Sequence, residues 1–209
     1  MNDFRHLLKS VEHYYSERIA VHGPVARGVD WNSEESQVLR FEQLLKVCDV
    51  SPGFSLNDYG CGYGALVDYL HSKKLIFQYH GFDISTSMIA HAHRLHGGLD
   101  GCKFFSDESL LPSADYTLAS GIFNVKIQAS DEEWKSYVLH TVNKIASSSR
   151  NGFAFNMLTV YSDPKRRRPD LYYADPLFWF DHCKRNFSRY VTLLHDYPLY
   201  EFSILVRKE

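Results

Sequence analysis

The chain has 209 residues, with 23 Lys and Arg against 25 Asp and Glu, a formal net charge of −2 and 44% hydrophobic residues. This is the composition of one globular domain. It excludes a mainly disordered, collagen-like or coiled-coil chain and argues against a dedicated duplex binder, which would be clearly basic.

Residues 3–20 are predicted helical, because Phe4, Leu7, Leu8, Val11, Tyr14 and Tyr15 recur at steps of three and four. Gly23-Pro24 and Gly28 mark a loop. A second helix is expected from Asn32, with Glu35 three residues on as a capping-box variant. Its apolar face is Val38, Phe41, Leu44, Leu45 and Cys48, and Ser51-Pro52-Gly53 ends it. A strand over 54–58 leads into the turn Gly60-Cys61-Gly62-Tyr63-Gly64, and a helix runs from Ala65 to near Lys73-Lys74. Residues 77–83 read as a second strand. Ser85 or Thr86 caps the next helix, which carries Met88, Ile89 and Leu95 and stops at Gly97-Gly98.

Residues 102–105 form a short third strand and 115–120 a fourth, followed by Gly121. Asp131-Glu132-Glu133 opens a helix where negative charge suits the dipole, with Trp134, Val138, Val142 and Ile145 as its buried stripe. A fifth strand spans 152–158. The polar stretch 161–175 carries Pro164 and Pro169 and reads as a loop or lid. A helix near 176–187 and two strands, 190–195 and 200–207, close the chain as a hairpin. Alternation of strand and helix argues for a parallel sheet covered on both faces, with one antiparallel strand added by the hairpin.

The four cysteines, Cys48, Cys61, Cys102 and Cys183, contain no CxxC pair and suit neither a zinc site nor a disulfide framework. Reduced thiols in the cytoplasm are expected. Charges at Asp3, Arg5, Lys9 and Glu12 break any signal-peptide core, and no uncharged apolar run reaches the roughly 18 residues of a membrane span. His91 and His93 point in different directions on a helix, so no metal is expected there.

The strongest signal is Asp58-Tyr59-Gly60-Cys61-Gly62-Tyr63-Gly64 between a strand and a helix. Glycines let the chain turn tightly and let a ligand approach the main chain without meeting a Cβ. The spacing is GxGxG rather than the GxGxxG of dinucleotide sites, and no Lys-Ser or Lys-Thr follows as in a phosphate loop. Asp83 ends the second strand, 19 residues after Gly64.

Asp58-x-Gly60-Cys61-Gly62-x-Gly64 resembles the first motif of class I S-adenosylmethionine-dependent methyltransferases. Gly81-Phe82-Asp83-Ile84-Ser85 with Met88 resembles the second, in which the acid accepts ribose hydroxyls. Ser106-Asp107 resembles the adenine-contacting position. Ser120-Gly121-Ile122-Phe123-Asn124 resembles the motif after the fourth strand. Asn57 departs from the buried apolar residue usual before the acid. The resemblance implies a three-layer, Rossmann-like α/β fold with a seven-stranded sheet in the order 3-2-1-4-5-7-6, strand 7 antiparallel. It implies a single domain over 1–209, with an N-terminal helical lid over 1–50 and a core over 54–209. The implied cofactor is S-adenosyl-L-methionine, with S-adenosyl-L-homocysteine as product.

Methyl transfer needs alignment and dryness more than it needs a base. His195 at a strand end is the first candidate for a base and His22 the second. Substrate or lid candidates are Tyr14, Trp31, Arg40, Tyr172 and Tyr173. Arg40 would pair with the cofactor carboxylate, and Tyr14, Tyr15 and Trp31 would set rings near the sulfonium. Lys165-Arg166-Arg167-Arg168 is either a solvated run or a clamp for an anion. A small-molecule acceptor is the leading expectation. Methylation of RNA or protein, a non-catalytic cofactor-binding protein and a dehydrogenase are the alternatives.

Overall fold

Strand and helix alternate in a computed structural model that describes residues 4–51 and 53–208. Asp3, at the start of the first expected helix, and Pro52, in the turn after the second, lie outside the described residues. The elements are α1 (Arg5–His22), α2 (Glu34–Leu45), β1 (Phe54–Tyr59), α3 (Ala65–Ser72), β2 (Phe77–Phe82), α4 (Thr86–His96) and β3 (Cys102–Phe105). They continue as β4 (Ala114–Ala119), α5 (Asp131–Ser148), β5 (Ser149–Leu158), α6 (Pro176–Asn186), β6 (Tyr190–Leu194) and β7 (Glu201–Arg207).

The seven strands form one sheet in the order β3-β2-β1-β4-β5-β7-β6. β1 to β5 are parallel, and β7 runs antiparallel to both β5 and β6. This is the expected order. It places a topological switch between β1 and β4, where an open α/β sheet leaves a crevice beyond the strand ends.

Side-chain alternation divides the core in two. Phe153, Phe155 and Met157 of β5 and Phe202, Ile204 and Val206 of β7 pack against Trp134, Val138 and Val142 of α5 and Trp179 of α6. Leu56, Leu118, Ala154 and Leu205 point the other way, toward Phe41 and Leu44 of α2, Leu66 and Leu70 of α3, and Ile89 of α4. The period of two along each strand therefore feeds both helical layers.

The element ends follow local chemistry. Ser85 caps α4, its hydroxyl accepting from Met88 N at 3.2 Å. Ser130 caps α5 in the same way through Glu133 N. For α2 the cap is Ser33 rather than Asn32: the Ser33 hydroxyl accepts from Ser36 N at 3.2 Å, and the helix begins at Glu34. The stretch 161–175 is a loop containing one short 3-10 turn, Pro164–Arg166, and two isolated bridges tie it down at Leu171 and Ala174. No helix among the described residues is long and apolar enough to cross a membrane.

Trp134 anchors α5. It is 1% exposed, and its indole N–H donates to Phe123 O at 2.8 Å. Trp134→Ala removes a large buried ring and strands a carbonyl, so unfolding in urea should lose about 3–5 kcal/mol. A loss below about 1 kcal/mol would show that α5 is held elsewhere.

Candidate functional site

A cavity opens beyond the carboxyl ends of β1, β2 and β4 and contains about 830 Å³ of empty space, part of it open to solvent. Its floor is the turn after β1. Gly60, Gly62 and Gly64 there have φ of +83°, +56° and +88°, left-handed values that favour glycine. A Cβ on Gly60 would lie 2.1 Å from Ile122 Cγ2, and one on Gly62 would lie 2.9 Å from Val29 Cγ1. The turn is thus required both by its dihedrals and by the crowding above it.

Asp83 holds the turn in place. Its Oδ2 accepts from Gly62 N at 2.9 Å and its Oδ1 from Ser85 N at 2.8 Å. Burial raises the Asp83 carboxyl to about 6, against the two amide bonds that lower it. Asp58, 3% exposed, accepts from the Tyr79 hydroxyl at 2.6 Å. Burial lifts its carboxyl to about 7. Two acids enclosed in a mostly apolar wall make the cavity a favourable place for positive charge.

The wall is built from distant segments. Val11 and Tyr15 come from α1, Val29 and Trp31 from the following connection, Gln37 and Phe41 from α2, and Tyr137 from α5. Asp58, Gly60, Cys61, Gly62, Asp83, Ile84, Met88, Ser120 and Gly121, all expected at a ligand, line the same cavity. The Ser120 hydroxyl is buried with no hydrogen-bond partner among the described residues.

Other expected positions lie elsewhere. Gly64 ends the turn as the N-cap of α3, where a Cβ would meet His96 Cδ2 at 2.8 Å, so its role is packing. Ser106 and Asp107 are exposed, and Asp107 caps a 3-10 turn by accepting from Ser109 N at 2.9 Å. Arg40 does not face the cavity: it is 7% exposed and paired with Glu201. Tyr14 donates to Asp30 at 2.7 Å, outside the lining. Tyr172 is packed in the α5–α6 core, and the Tyr173 hydroxyl accepts from Arg168 N. His22 is exposed in the last turn of α1, and His195 is exposed with its ring 5.9 Å from Tyr161. Neither histidine reaches the cavity.

Val29, Gln37 and Tyr137 line the cavity without having stood out in the sequence. Tyr137 lies one turn after Trp134 on α5, beside the expected stripe, and nothing in the sequence marked it as wall.

No protein-family model matches the chain. A curated relative from Mycobacterium tuberculosis (strain ATCC 25618 / H37Rv), named "Putative methyltransferase Rv1506c", is 46% identical over 164 residues, covering 78% of this chain and 99% of the relative. Human N-acetylserotonin methyltransferase in complex with SAM superposes with a TM-score of 0.66 at 17% identity, covering 99% of this chain. The chain spans 60% of that enzyme's length. Magnesium protoporphyrin IX methyltransferase from Synechocystis PCC 6803 with bound SAH superposes at 0.64 and 17% identity, covering 98% of each chain.

The raised carboxyls give a sign for pH dependence. The folded state binds these protons more tightly than the unfolded chain does. Their contribution to stability is full below the ordinary value of 3.8 and is lost as pH rises through about 6 and 7. The Tm of the ligand-free protein should fall between about pH 4 and 7, and Asp83→Asn should flatten that fall. An unchanged slope in Asp83→Asn would assign the titration to another group.

Proposed function

The chain belongs to the class I S-adenosylmethionine-dependent methyltransferases, and on that premise we propose that its cavity binds S-adenosyl-L-methionine and directs the methyl group to a small-molecule acceptor. The enclosed form of the cavity carries this reading. It is covered by α1 and the 23–31 connection and has a mostly apolar lining with a few converging polar groups, Asp58, Asp83 and Ser120. A polymer strand would call for an open groove.

The residues present fit the cofactor. Gly60 and Gly62 line the floor without a Cβ of their own. Asp83 has acceptor capacity beyond its two amide donors and would take the ribose hydroxyls. The orphaned Ser120 hydroxyl is the kind of buried polar atom that a ligand satisfies. Ile84, Met88 and Gly121 would border the base, and Asp58 and Cys61 the amino-acid end. When bound, the cofactor supplies a methyl group already activated by its sulfonium.

The protein's own work is then placement. Tyr15 and Trp31 close the cavity from the N-terminal side and give rings against which a cation is favoured. Val11, Phe41 and Phe82 exclude water. Alignment of this kind is worth about 7–11 kcal/mol in good intramolecular reactions. The segment before β1 acts as the lid. The basic run is partly committed to the fold. Arg167 donates to Ser162 O, and Arg168 pairs with Asp170 at 2.5 Å.

Calorimetry should show binding of S-adenosylhomocysteine and none of NAD. Asp83→Ala should weaken that binding about tenfold to hundredfold, from roughly 1.5–3 kcal/mol of charge-assisted hydrogen bonding. Nicotinamide binding without S-adenosyl binding would refute the cofactor reading. Neutralising Lys165 to Arg168 together should leave turnover nearly unchanged at any salt. A steep salt slope with RNA, removed by that change, would replace the small-molecule acceptor.

A further inference from the structure

Behind one wall of the cavity runs a closed circuit of contacts. The Arg40 Nε donates to Glu201 Oε2 at 2.9 Å and Oε1 at 3.1 Å, and its Nη2 also donates to Oε1. The Asn156 amide donates to Glu201 Oε2 at 2.5 Å, and Asn156 Oδ1 accepts from Gly121 N at 2.8 Å. Trp31 closes the ring: the Arg40 guanidinium carbon lies 3.8 Å from the centre of its indole. The Cη2–Cζ2 edge of the same ring presses on Gly121, where an added Cβ would come within 2.2 Å of Trp31 Cη2.

Trp31 and Gly121 line the cavity; Arg40, Glu201 and Asn156 do not. Arg40, Glu201 and Asn156 are 7%, 1% and 0% exposed. A buried ion pair is a poor stabilising device, since packed apolar residues often replace one at no cost or with gain. What it gives is a fixed geometry. The flat guanidinium, held from two sides by Glu201 and from Ser36 O at 2.7 Å, has one orientation and therefore offers Trp31 one seat. Asn156 holds the backbone of Gly121 at the matching height.

We propose that Arg40, Glu201 and Asn156 are positioning residues that set Trp31 against Gly121, and so fix the wall of the cavity on which S-adenosyl ligand affinity depends. This rests on the cofactor reading above and adds to it the source of the wall's placement.

The test uses S-adenosylhomocysteine and the double variant Arg40→Met with Glu201→Leu, which removes both charges and keeps apolar bulk. Trp134 and Trp179 are 1% and 0% exposed, so acrylamide quenching of indole fluorescence reports Trp31. The double variant should keep its Tm, bind S-adenosylhomocysteine about tenfold more weakly and show stronger quenching. Trp31→Ala should cause a similar loss, and adding it to the double variant should cause little more, because the three act through one seat. Wild-type affinity and quenching in the folded double variant would overturn the proposal. If the double variant does not fold, Arg40→Lys decides. It keeps the ion pair but loses the flat stack, so unchanged quenching and affinity there would overturn the proposal too. No binding by the unaltered chain would instead remove the cofactor reading, and this inference with it.

Discussion

The site depends on one carboxylate. Asp83 accepts from Gly62 N and Ser85 N, and these two bonds tie the turn after β1 to the turn after β2. Three left-handed glycines in five residues form a loose segment unless something outside it fixes the chain. The anchor reaches further. Ser85, oriented by Asp83, caps α4 and also meets the Ser16 hydroxyl at 2.9 Å, which brings α1 over the cavity. Floor, neighbouring helix and cover share this one acid.

A second constraint comes from charge. Asp58 and Asp83 are enclosed by rings and aliphatic groups, and each is held above the ordinary carboxylate range by loss of water. The basic partner in the vicinity, Arg40, is already neutralised by Glu201. Burial thus favours the neutral form of both carboxyls, and a positive charge placed beside them would restore their ionised form. A cationic guest and the ionised carboxyls would favour each other, more so as water is excluded.

The sequence-level reading succeeds where chemistry is local. Strand and helix limits lie close to those observed because Gly, Pro and Ser punctuate clear periods. The floor of the site was readable because the glycines and the acid each follow a strand. The α2 cap moved by one residue because Ser33, not Asn32, holds the hydroxyl that meets the third amide. Arg40 failed for a different reason. Its position beside an apolar stripe said that it was close to the core, but its partner lies 161 residues away, and no local pattern pairs them. Tyr137, Gln37 and Val29 share that limit. A face of a helix can be read from its period, but which cavity it meets is decided by packing.

The Arg40–Glu201 pair also bears on the order in which the molecule assembles. β7 enters the sheet between β5 and β6, and Glu201 is its first residue. A nascent chain that has emerged only as far as β6 has Arg40 but no carboxylate to receive it. Burying that guanidinium early would leave an unpaired charge in a dry interior. The seat of α2 is therefore complete only once β7 stands in the sheet beside β5.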